Sequence, residues 1–207
     1  MKTFYVLAIL LLPVLSVSCR QPMAESTDVS ADDYEVYSVF LNGVLNSLYR
    51  PPYATVVLYD STSIHAHGLA PETTWDNYAA EGECCIYDKD TSRCRQARDN
   101  AWKPIYEELK QVTDQKHKKL APNFTTHIPV TILSREKIQQ LYKRYDDETV
   151  NIYTFHVSNI AYNTTKDKAL FVSSFFCQGN CGRGELIMLK RINHHWVLID
   201  TFQMWIS

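Results

Sequence analysis

The chain has 207 residues, 45% of them hydrophobic and 21% charged, with a formal net charge of −2. That composition fits one globular domain with a real core and excludes a disordered chain. A slightly acidic balance without a run of like charge also argues against a nucleic-acid binder, which needs a basic face.

The first segment reads Met1-Lys2-Thr3, then a mostly apolar stretch from Phe4 to Val17, then Ser18-Cys19. One basic residue, an apolar run and small residues at its end make a secretion signal over residues 1–18. The run is too short to span a bilayer, which takes roughly twenty apolar residues. Two processing routes share the bond before Cys19. Ser16-Val17-Ser18 suits an ordinary signal peptidase. Leu15-Ser16-Val17-Ser18-Cys19 resembles a bacterial lipobox, with Ser16 where leucine is usual. On that reading Cys19 becomes the acylated, palmitate-bearing first residue. Residues 19–30 are polar and aperiodic, a flexible tether of the kind a lipid-anchored domain needs. Residues 31–207 then form a single domain.

Ser30 and Asp33 predict a capped helix with an acidic first turn. Tyr37, Phe40, Leu41, Val44, Leu45 and Leu48 continue it at helical spacing, and Pro51-Pro52 stop it. Ala54 to Tyr59 is rich in β-formers and reads as a strand. Glu72 to Ala80 suggests a short helix, and Gly82 to Cys94 a polar loop. Ala101-Trp102, Ile105, Leu109 and Val112 mark another helix, kinked or started at Pro104. Ile128 to Leu133 reads as a strand, and Ser134 caps a helix carrying Ile138, Leu141, Tyr142 and Tyr145.

The last third is a run of strands: 152–160, 169–176, 185–192 and 196–206. Asn193-His194 reads as a tight hairpin turn. Short links predict an antiparallel meander, with the preceding helix over one face. The expected class is α+β: an N-terminal helix packed on a mostly antiparallel sheet that ends in a four-strand meander. The thirteen tyrosines read as sheet surface or core edge.

Cysteines supply the most individual chemistry. Cys177 and Cys181 bracket a Gly-containing turn, so the chain folds back far enough for a disulfide. An oxidising envelope favours that bond. A redox-active pair would want C-x-x-C at a helix N-terminus, and neither feature is evident. The glycines with Arg183 also suit an amide nest for an anion, a weaker reading. Cys84, Cys85 and Cys94 form a second cluster, with Cys94 free to close a loop to either neighbour. If Cys19 is acylated, five cysteines remain and one is unpaired or intermolecular. No second C-x-x-C half completes a zinc site.

His65-Ala66-His67 would place two imidazoles on one face of a strand, as a metal pair needs. Gly68 and Pro71 instead suggest that the strand has ended, and nothing nearby nominates a third ligand. His194-His195 falls at a hairpin tip and reads as solvated. Asp146-Asp147-Glu148 reads as a solvated turn, whereas carboxylate catalysis needs a buried group. The sequence carries no Gly-x-Ser-x-Gly elbow, phosphate loop or nucleotide fingerprint. The Asn123 and Asn163 sequons have meaning only in a eukaryotic secretory pathway, and they read as chance.

The C-terminal third reads Ile160-Ala-Tyr-Asn163, Ala169-Leu-Phe-Val172, Cys177, Gly179, Cys181-Gly182-x-Gly184, Trp196 and Trp205-Ile-Ser207. This resembles a group of uncharacterised bacterial exported proteins that share a strand, a cysteine–glycine turn, a strand and a final tryptophan. The helix from Asp33 to Leu48 and the strand–helix from Ile128 to Tyr145 look similar too, while residues 61–126 fall outside the likeness. The resemblance implies architecture and address, not an activity.

The leading expectation is an exported bacterial envelope lipoprotein, held to the membrane through Cys19. Its domain would be a non-enzymatic module binding an unknown protein or small molecule, without a cofactor. Two rivals stand beside it. One is a metal-assisted hydrolase using His65 and His67, and the other a secreted, non-lipidated inhibitor-like protein.

Overall fold

The computed structural model describes residues 29–48, 54–62, 75, 91–113, 115, 117–145, 151–177 and 181–207. The signal, Cys19 and nearly all of the tether lie outside these residues, as do His65, His67, Cys84, Cys85 and Asp146 to Glu148.

Helix α1 spans Ala31–Leu48. Its start is a reciprocal cap: Ser30 Oγ accepts the Asp33 N–H at 3.1 Å, and Asp33 Oδ2 accepts the Ser30 N–H at 3.3 Å. Val36, Tyr37, Phe40, Leu41, Val44 and Leu45 are buried along one side. Each such side chain contributes roughly 1.5–3 kcal/mol of transfer free energy before chain entropy is counted.

The strands are β1 (Ala54–Tyr59), β2 (Val130–Leu133), β3 (Asn151–Val157), β4 (Ala161–Tyr162), β5 (Lys168–Cys177), β6 (Cys181–Ile192) and β7 (His195–Ile206). They form one seven-stranded sheet in the order β2-β1-β3-β5-β6-β7, with β4 paired to β5. Two helices join the first strands: α2 (Thr91–Thr113) and α3 (Arg135–Arg144). The α2 crossover makes β1 parallel to β2, and the α3 crossover makes β1 parallel to β3. From β3 onward the connections are short, and the pairings β3–β5, β5–β6 and β6–β7 are antiparallel. The class is α+β, and the meander pairs in the expected order.

Alternation along the strands sends neighbours to opposite faces. Val56, Leu58, Phe155, Val157, Phe171, Ile187 and Leu189 pack with α1. Leu170, Val172, Leu186 and Met188 pack with Trp102, Ile105, Tyr106 and Leu109 of α2. On that second face α3 covers one corner, where Ile138 meets Val57 and Ile152. The helix expected to cover a whole face is thus short, and α2 does most of that work.

Several boundaries differ from the sequence reading: β6 begins at Cys181 rather than Glu185, and β2 at Val130 rather than Ile128. Helix α2 begins at Thr91, so Cys94 lies in a helix rather than a polar loop, with Pro104 inside the same helix. The strand expected from 152 to 160 ends at Val157. There Ser158 Oγ takes the Val172 N–H at 2.9 Å, and the Asn159 amide donates to Val112 O at 2.8 Å and accepts from Thr62 Oγ1 at 2.6 Å. Polar side chains claim the backbone at that point, and the ladder breaks.

Candidate functional site

Helix α1 has a second stripe, polar and covered by another segment of the chain. Tyr34, Ser38 and Asn42 recur every four residues and so align on one face. Each holds the segment 121–127. The Tyr34 hydroxyl accepts the Ala121 N–H at 2.8 Å. Ser38 Oγ accepts the Thr125 N–H at 2.9 Å and donates to Tyr34 O. Asn42 Nδ2 donates to Thr125 O, and its Oδ1 accepts the His127 N–H, both at 2.9 Å. Phe124 turns inward and meets the Tyr34 ring edge-on, with centroids 5.0 Å apart.

Helix and strap together wall a groove of about 660 Å³. Val29, Ala31 and Val39 supply apolar lining; Asn123 and Thr125 line the strap side. Glu35 is the one charged group in the lining and is exposed. The volume lies within the range of small-ligand sites, roughly 300–1,000 Å³. Four side-chain to backbone hydrogen bonds fix the walls, so the groove exists before any ligand arrives. Nothing in the sequence reading pointed here. The signal was the spacing of Tyr34, Ser38 and Asn42, which reads equally well as a solvated helix face.

The start of α1 is tied down by charge. Asp33 is buried and accepts from Lys118 Nζ at 3.1 Å and from the Tyr162 hydroxyl at 2.8 Å. Burial, with the Asp33 charge adding to it, pushes the Tyr162 phenol well above its ordinary value. Tyr37, fully buried, donates to Ser158 O at 2.6 Å, and burial raises its phenol in the same way. Both tyrosines stay protonated and act as donors that fix α1 to the sheet.

Cys177 and Cys181 are direct partners across β5 and β6, with Cα atoms 5.4 Å apart and sulfurs at bonding distance. The following glycines do not form an anion nest, because Gly182 and Gly184 lie inside β6. A Cβ on Gly184 would collide with Trp205 Nε1 and sit 2.5 Å from its Cε2. A Cβ on Gly182 would meet Ser207 Oγ at 2.8 Å and the Phe176 and Trp205 rings at 3.1 and 3.2 Å. The two glycines make a trough for the last tryptophan. Arg183 instead pairs with Glu185 at 3.4 Å and lies 5.5 Å from the Phe175 ring centroid.

His194 and His195 are exposed, as expected, and Asn193 and His194 both take positive φ, 49° and 68°. Asn163 is not an open acceptor: its amide donates to Thr165 Oγ1 and Asp167 Oδ1, and its carbonyl oxygen takes the Asp167 and Lys168 N–H groups. Among the described residues no cluster of three potential metal ligands occurs, and no helix is long and apolar enough to cross a membrane. Comparisons with protein-family models, with curated proteins and with solved structures find no match.

Proposed function

We propose that this chain is an exported envelope protein, anchored through a lipid on Cys19, whose domain is a non-enzymatic binding module. The groove between α1 and the 121–127 strap is its binding site. The observation that carries the reading is the groove's prior construction. Three side chains in register hold both walls, so a ligand need not pay to order them. Val39 and Ala31 offer apolar contact, and Glu35 and Asn123 offer polar contact at the rim. That mixture suits recognition of a small or elongated ligand. The export signal and tether support the address.

A photo-crosslinking residue tests this in producing cells. Placed at Val39, it should yield a discrete adduct whose mass identifies the ligand. Placed at exposed Lys143 on α3, it should not. Equal labelling from both positions sinks the groove as the site. Fatty-acid labelling tests the anchor separately, since Cys19→Ser should abolish the label.

A further inference from the structure

We infer that the tip of the β6–β7 hairpin is the surface that rests on an anionic lipid bilayer. The inference builds on the lipid-anchor reading above but has its own observations. Three features meet at one end of the domain. The first is where the chain enters it. Asp32, in the first turn of α1, holds Arg191 at 3.2 Å, so α1 starts beside the hairpin tip. Ten peptide units separate Cys19 from Val29, a reach of at most about 36 Å. An anchor on so short a leash keeps this end toward the bilayer.

The second feature is an exposed apolar patch. Lys190 pairs with Val197, and Ile192 with His195, so these four side chains share a face. All four are exposed. Ile192 and Val197 are 44% and 39% exposed, and Ile199 beyond them is 46% exposed. The third feature is positive charge around that patch. Lys166 and Lys190 are exposed and have no acidic partner among the described residues. Lys168 is paired across the ladder with Lys190 and donates to Ala101 O at 3.2 Å. Apolar side chains rimmed by cations match an anionic headgroup layer over a hydrocarbon boundary.

Vesicle flotation tests the surface and the anchor independently, using the native protein and the full Cys19→Ser chain. The native protein should float with vesicles at low and high salt. The Cys19→Ser chain should float with phosphatidylglycerol vesicles at low salt, release at high salt, and ignore phosphatidylcholine vesicles. Adding Lys166→Gln and Lys190→Gln to it should weaken binding about fivefold for each charge removed. Ile192→Asn should weaken it further. If the Cys19→Ser chain fails to bind the anionic vesicles, binds both lipids alike, or is unaffected by these substitutions, the surface is wrong. A lipid-free dimer that Ile192→Asn dissociates would also overturn it and assign the patch to a second copy. Release of the native protein by high salt would instead remove the anchor and leave the surface result standing.

Discussion

The two ends of the β6–β7 hairpin solve the same problem in opposite ways. Both carry large apolar side chains on a strand at the rim of the sheet. At one end Trp205 lies across Gly184 and Gly182, Phe176 flanks it with ring centroids 5.8 Å apart, and Gly182 and Ser207 exchange backbone hydrogen bonds of 3.2 and 2.8 Å. At the other end Ile192 and Val197 stay exposed beside Lys190. What separates them is the partner strand. Glycine opposite a tryptophan makes room for the ring, whereas lysine opposite a valine fills nothing. A side chain's own hydrophobicity does not decide burial; the space its neighbours leave does.

Filling the trough should therefore produce the largest effect. Gly184→Val puts atoms where the Trp205 indole lies, and we expect a loss of about 3 kcal/mol, at the upper end of overpacking costs. Urea unfolding measures the loss, and a red shift of tryptophan emission would show the displaced ring. An unchanged midpoint would mean that Trp205 is not seated in the trough. The Cys177→Ser/Cys181→Ser pair comes next. The loop it closes is short, so the chain-entropy model gives about 2 kcal/mol or less. The protein should stay folded, and non-reducing peptide mapping of the parent should place both cysteines in one linked peptide. A link from either one to Cys84, Cys85 or Cys94 would break the picture of a locally closed end.

The trough also shows what could be read in advance. Cys181-Gly182-x-Gly184 and Trp205 stood out as a pattern, but the pattern did not say that one residue fills the space left by the others. The meander was legible because its pairings are local: Asn193-His194 sets one turn and Cys177–Cys181 another. The parallel half was not, since β1, β2 and β3 are joined by long crossovers, and their residues carry no mark of which strand lies between the others. The groove was hidden for a similar reason. Tyr34, Ser38 and Asn42 bond to backbone more than eighty residues away, and backbone donors and acceptors leave no trace in a sequence.

The open end should respond in the stabilising direction. His194 holds a φ of 68°, a conformation that costs a non-glycine residue roughly 1–2 kcal/mol. His194→Gly relieves that cost and loses part of the gain to unfolded-chain entropy, leaving about 0.5–1 kcal/mol. A higher midpoint with the same urea slope is the expected result. A lower one would mean that the imidazole contributes at the tip, and the tip would no longer count as loosely held.

The smallest effect separates the two ends by pH. Glu185 adjoins the trough, and burial pushes its carboxyl up, with Arg183 pulling weakly the other way. The folded protein then holds this proton more tightly than the unfolded chain does. Stability therefore falls as pH rises from the ordinary carboxylate range through the raised value, and the whole penalty stands at neutral pH. Below the ordinary range both states are protonated and the penalty vanishes. Glu185→Gln cannot ionise, so it should be slightly more stable than the parent at neutral pH and equal to it in acid. Lys190→Gln, at the exposed end, should shift stability by less than about 0.5 kcal/mol at either pH. Paired urea titrations at neutral and acidic pH read all three proteins. If the parent is the more stable at neutral pH, the Arg183–Glu185 pair outweighs burial, and the closed end is held by charge as well as by packing.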